Sequence, residues 1–124
     1  MIYLDTHVLV WLFANEQKQF TPAGLYHIEH EPLLVSPMVR LELHYLHEIK
    51  KISVAPSEIM DFLMRTLGLR ECTLPFGDVV AESVHLRWTR DPFDRLIVAQ
   101  SRLGAGKLLT KDRNLLANAP NAFW

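Results

Sequence analysis

The chain has 124 residues, 49 % of them hydrophobic, which fits one domain over residues 1–124 whose core needs neither disulfides nor structural metal. Thirteen Lys and Arg stand against fourteen Asp and Glu, and the formal net charge of −1 excludes a generic basic coat, leaving local Lys/Arg clusters to meet any polyanion. The lone Cys72 excludes an internal disulfide, the N-terminus lacks the basic stretch of a signal peptide, and Asp5 and His7 interrupt the apolar run to Ala14, so a cytoplasmic protein with no membrane span is expected.

Ile2–Leu4 reads as a short buried strand with Asp5 at its carboxyl end, and Thr6 as the cap of a helix carrying Val8, Leu9, Trp11, Leu12 and Phe13. Thr21-Pro22 couples an N-cap to a proline at the first helical position, opening a helix through Leu25 and Ile28 to a turn near Pro32. Leu33–Val35 is a second strand. After Ser36-Pro37, the residues Met38, Leu41, Tyr45 and Ile49 recur at helical spacing, with Glu42 on the same side. A carboxylate on an apolar helix face calls for a reason.

Ser57 opens a third long helix with Ile59, Phe62, Leu63 and Leu67 on its expected buried stripe and Gly68 as its stop. Leu69 to Leu74 reads as a third strand, and Asp78 as the cap of a helix through Val80, Val84 and Trp88. Asp91-Pro92 starts another, containing Phe93, Leu96, Ile97 and Leu103 and ending near Gly104. Leu108–Thr110 is the last clear strand before Lys111-Asp112. The tail from Asn118 to Trp124 has no assigned element, although Phe123 and Trp124 suggest that it folds back on the body. Alternating strands and helices without repeats or long linkers imply an α/β/α sandwich around a mainly parallel sheet.

In such a sheet the carboxyl ends of the strands share one crevice. Asp5, Glu42, Asp91, Asp94 and Asp112 all fall at strand ends or in the helices that follow. Carboxylates gathered there repel one another, and a hard divalent cation such as Mg²⁺ or Mn²⁺ is their natural partner. The segments Ile2-Tyr3-Leu4-Asp5-Thr6-His7, Ser36 to Leu43, Arg90 to Gln100 (with Asp91-Pro92-Phe93-Asp94) and Leu109-Thr110-Lys111-Asp112 together resemble the PIN-domain ribonucleases, and within them the VapC-like toxins of toxin–antitoxin pairs. Each segment is weak alone; their order and spacing span the chain.

The resemblance implies a PIN-like three-layer fold and an Mg²⁺- or Mn²⁺-dependent endoribonuclease with Asp5, Glu42, Asp94 and Asp112 as its metal-site acids. It also implies a cognate antitoxin and a homodimer. Asp91 is the extra acid of the Asp-Pro-Phe-Asp segment and reads mainly as a helix cap, acting at most through an outer water. Thr6 and Thr110, beside the acids, are placed to orient carboxylates or hold waters. Hydrolysis by water activated at a divalent ion needs no Ser, Cys or His nucleophile.

Arg40, Arg90, Arg95, Lys107, Lys111 and Arg113 flank the acids and are candidate RNA phosphate contacts, against the plainer reading of a solvated rim. His44 and His47 lack the Glu of a zinc-binding His-Glu-x-x-His helix, and Gly104-Ala105-Gly106-Lys107 lacks the spacing of a phosphate loop. Trp11, Phe13 and Trp88 read as core or interface aromatics before base-stacking ones. The remaining readings are a housekeeping PIN nuclease, a catalytically silent PIN-like binding module and, more weakly, a phosphoacceptor receiver domain, which would require an Asp closing a middle strand where this chain has Ser36.

Overall fold

The computed structural model describes residues 1–124. Its central strand β1, Ile2–Leu4, is buried along its whole length. A strand covered on both faces must be apolar at every position rather than at alternate ones, as this one is. β2 (Leu33–Val35) and β4 (Lys107–Leu109) flank it, with β3 (Arg70–Glu71) and β5 (Ala122–Phe123) at the edges, giving the all-parallel order β3-β2-β1-β4-β5.

Parallel neighbours need long crossovers, and helices supply them. α1 (Thr6–Phe13) and α2 (Pro22–His30) join β1 to β2, and α3 (Pro37–Glu48) and α4 (Pro56–Leu67) join β2 to β3. α5 (Phe76–Ser83) and α6 (Pro92–Leu103) then carry the chain from β3 across to β4, and α7 (Arg113–Asn118) leads to β5. The result is the expected α/β/α sandwich. The chain first winds from β1 towards β3 and afterwards resumes on the other side of β1, so the β1/β4 boundary is where the winding reverses. A crevice forms outside the carboxyl ends of strands at such a boundary.

Local chemistry sets the helix limits, with several shifts from expectation. Thr6 is the first residue of α1 and Asp5 its cap, since Asp5 Oδ1 accepts the Thr6 N–H. α2, α3 and α6 each begin with proline behind a capping Thr21, Ser36 or Asp91. α4 begins at Pro56 with Ala55 before it, one residue ahead of the expected Ser57, and ends at Gly68, whose φ of 68° favours glycine. α5 starts at Phe76, with Asp78 inside its first turn, and stops before Val84 and Trp88. β3 occupies only two residues of the expected Leu69 to Leu74 run.

The buried faces also differ. On α3 the core side chains are Val39 and Leu43, both fully buried, while Leu41, Tyr45 and Ile49 lie exposed. On α4 they are Ile59, Met60 and Leu63, with Phe62 and Leu67 outside. The Gly104-Ala105-Gly106 segment serves packing against Tyr3: a Cβ at Gly104 would stand 2.0 Å from the Tyr3 hydroxyl oxygen, and one at Gly106 would stand 2.8 Å from its ring.

Candidate functional site

The β1/β4 register determines the centre of the site. Leu4 pairs with Leu109, so the next residues along, Asp5 and Thr110, emerge side by side at the strand ends. The Asp5 N–H donates to Leu109 O at 3.1 Å and Thr110 Oγ1 donates to Asp5 Oδ2 at 2.7 Å. With the Thr6 N–H on Oδ1 at 2.8 Å, both oxygens of Asp5 are fixed. Asp5 is nearly fully buried, and Thr6 and Thr110 completely so. Such a carboxyl cannot wander, and its remaining lone pairs have a set direction.

Thr6 Oγ1 donates to Glu42 Oε1, which ties α1 to α3 and orients the second acid. The third acid, Asp94, is half-buried in the first turn of α6. Asp112 caps α7, with Oδ1 accepting from the N–H groups of Asn114 at 2.8 Å and Leu115 at 3.0 Å; its own N–H donates to Thr110 Oγ1 at 3.1 Å. Thr110 therefore connects two acids at once. Asp91 caps α6 in the same manner as Asp112, Oδ1 accepting from Phe93 N–H at 2.8 Å and Asp94 N–H at 3.2 Å. A cap of this kind uses one carboxylate oxygen and leaves Oδ2 without a protein partner in both residues. Capping and service to a cation are thus compatible.

Electrostatics bring the four elements together. Burial first, and then the charges of Asp91, Asp5, Asp112 and Glu42, push the Asp94 carboxyl up from 3.8 to about 7. Burial raises Asp5 as well, opposed by the hydrogen bonds from Thr110 and Thr6 and by His7, while Asp112 adds to the rise. Glu42 is raised by burial and by Asp5 and Asp91, against the Thr6 hydrogen bond and His7. Mutual repulsion of this sort leaves the cluster short of positive charge.

An all-carboxylate, hydroxyl-supported donor set suits Mg²⁺ or Mn²⁺ rather than zinc or copper. No group of three His, Cys, Asp or Glu side chains is arranged to grip an ion directly. Mg²⁺ keeps several waters and takes only one or two carboxylates into its inner sphere, and the raised carboxyls of Asp5, Glu42 and Asp94 supply the uncompensated negative charge that such a hydrated ion would meet.

The basic candidates separate into two groups. Arg40 makes a two-pronged pair with Glu71, 2.9 Å from each oxygen, and Arg95 donates to the carbonyls of Ser83 and Val84 at the end of α5, so both are engaged in the fold. Arg90 and Arg113 are exposed, and Lys107 lies 5.7 Å from the Phe123 ring. Lys111 lines a cleft with two of the acids, Asp5 and Asp112, together with His7, Val8 and Trp11. His7 and Trp124 were not named as site residues from sequence. The place of His7 two residues after Asp5 was a usable signal, whereas the tail's expected return to the body does not say where Trp124 lands.

Trp11 and Phe13 are packed partners, against Phe20 and Trp124 and against Phe62 respectively.

Comparison with known proteins bears on the family and the fold. The family model described as PIN domain matches residues 2–120. Ribonuclease VapC22 of Mycobacterium tuberculosis is 31 % identical over 121 residues, covering 92 % of this chain and 88 % of the relative. Two solved structures share the fold at a TM-score of 0.69. One is VapBC2 from Rickettsia felis bound to a DNA fragment from its promoter, 18 % identical, with 99 % of this chain and 96 % of that one covered. The other is a toxin–antitoxin complex from Klebsiella pneumoniae, 20 % identical, with coverage of 100 % and 97 %.

Proposed function

We propose that this chain, which belongs to the PIN-domain family, is a divalent-metal-dependent endoribonuclease that hydrolyses RNA phosphodiester bonds in the cytoplasm as the toxin of a toxin–antitoxin pair. The observation that supports the reading is geometric: Thr110 joins Asp5 to Asp112 and Thr6 joins Asp5 to Glu42, while Asp94, in the first turn of α6, feels the charges of all three.

Asp5, Glu42, Asp94 and Asp112 would hold Mg²⁺ or Mn²⁺, one or two of them directly and the others through its waters, with Asp91 reaching it only through water. Bound there, the ion supplies Lewis acidity towards the scissile phosphate and an activated water. The chain's own residues supply rigidity and direction. Thr110 and the Thr6 N–H lock Asp5, Thr6 Oγ1 locks Glu42, and the caps at Asp91 and Asp112 set the starts of α6 and α7. Fixing donors before reaction removes reorganisation from the chemical step. Attack by water, rather than by the ribose 2′-hydroxyl, leaves a 3′-hydroxyl and a 5′-phosphate.

The direct test is cleavage of single-stranded RNA by the purified chain with Mg²⁺, beside Asp5→Asn and Asp94→Asn. Loss of cleavage in both variants, with the fold retained, is expected; wild-type rates in either would overturn the assignment.

Two partners belong to the same proposal. Exposed apolar residues on α3 (Leu41, Tyr45) and at its end (Ile49), and on α5 (Phe76, Val80) and at its end (Val84), favour a homodimer. An apolar groove of about 290 Å³, lined by residues including Trp11, Leu12, Phe20, Leu25, Ile28 and Phe62, shares Trp11 with the cleft of Asp5 and Asp112 and offers an antitoxin segment a seat from which an Arg or Lys further along it would compete for the carboxylates.

A further inference from the structure

Lys111 lies between Thr110 and Asp112, so chain geometry alone puts its charge at the rim of the acidic cleft. A lysine in that position is expected either to pair with a neighbouring carboxylate or to sample solvent. It does neither. Nζ lies 5.7 Å from the Trp11 ring centroid and 5.7 Å from that of Trp124, and donates to Gln19 Oε1 at 3.1 Å and Gln19 O at 3.5 Å. None of the four ion pairs in the protein includes it.

The rings that hold Lys111 are held in turn. Trp124, the last residue, stacks on Phe20 with centroids 5.1 Å apart and meets Trp11 edge-on at 5.7 Å. β5 delivers it there by pairing with β4, Phe123 opposite Leu109. The neutral faces and amide oxygens around Nζ direct the ammonium without neutralising it. Its charge remains available to an anion in the cleft.

We propose that the box of Trp11, Gln19 and Trp124 aims Lys111 at an RNA phosphate neighbouring the scissile one, which makes Trp124 a positioning residue for substrate binding. This rests on the ribonuclease reading of the cleft and adds to it a specific phosphate contact with its support. The rings are the mechanism: replacing one should act through Lys111 and not beside it.

The test is fluorescence anisotropy of a fluorescein-labelled oligouridylate with the full chain in EDTA, which suppresses cleavage, repeated across a range of salt. Lys111→Ala should weaken binding roughly threefold to tenfold and flatten the slope of log affinity against log salt by about one, the signature of one lost phosphate contact. Trp124→Leu, which retains apolar bulk against Phe20, should reproduce most of both effects. Trp124→Phe should restore them, and Trp124→Leu in the Lys111→Ala background should add little. A Trp124→Leu protein with wild-type affinity and slope, or one whose loss adds in full to that of Lys111→Ala, would overturn the box. A wild-type chain that binds no oligouridylate at low salt, or one whose variants bind as it does, would overturn the box; the ribonuclease reading falls separately, if the chain does not cleave RNA with Mg²⁺.

Discussion

Asp94 holds a proton in the folded protein at pH values where the unfolded chain has released it, because its carboxyl is raised from 3.8 to about 7 by burial and by the surrounding acids. Unfolding then releases a proton, so the stability of the metal-free protein should fall as pH rises between about 4 and 7, the contribution being present below the unfolded value and lost through the folded one. Thermal melts across that window check this, and Mg²⁺ should raise the melting temperature more at about pH 8 than at about pH 5. Asp94→Asn should reduce the pH dependence, part of which the raised Asp5 and Glu42 carboxyls keep, and weaken the Mg²⁺ response; an unchanged profile would contradict the cause given for the shift. Asp91 behaves differently despite lying only three residues away. Its cap bonds to Phe93 and Asp94 predict that Asp91→Ala costs about 1 kcal/mol, while Asp91→Ser keeps the cap and most of the stability. Chemical denaturation separates those two. If Asp91→Ser loses metal binding as completely as Asp94→Asn, the division between cap and metal-site acid is wrong.

Helix α3 supplies the matching test one scale up. Leu43 is fully buried and Leu41 is 54 % exposed, so Leu43→Ala should cost about 2–5 kcal/mol and Leu41→Ala within about 0.5 kcal/mol in the isolated protomer. The sequence alone pointed to the opposite stripe, because Met38, Leu41, Tyr45 and Ile49 are spaced as well as Val39 and Leu43, and helical period cannot tell which apolar side a sheet will cover. The strands β1, β2 and β4 were legible since each carries a short apolar run ending at a polar turn, although β4 runs one residue earlier than expected, Lys107–Leu109 rather than Leu108–Thr110. So were the starts of α2, α3 and α6, where proline follows a capping side chain. α7 and β5 were not: six and two residues carry too little periodicity, and β5 forms only because β4 offers it an edge. Among the site residues, Asp5, Thr6, Glu42, Asp94, Thr110 and Asp112 were named from motif order. Their coupling through Thr6 and Thr110 depends on strand register, which no local signal encodes.

For the molecule as a whole, the winding reversal at β1/β4 decides where chemistry can occur, because it opens the one edge on which residues from the beginning, middle and end of the chain meet. Exposed apolar faces on α3 and α5 lead to the expectation of a dimer by light scattering at micromolar concentration, and Tyr45→Glu together with Val84→Glu should shift it to monomer; a monomeric wild type would contradict this. No helix is long and apolar enough to cross a membrane. Chemistry at the carboxylate centre is tested most directly by identifying the ends of the RNA fragments that the purified protein produces with Mg²⁺. Hydrolysis by water predicts 5′-phosphate and 3′-hydroxyl termini that disappear when excess EDTA is added. Fragments ending in 2′,3′-cyclic phosphate, or undiminished cleavage in EDTA, would contradict the proposed site.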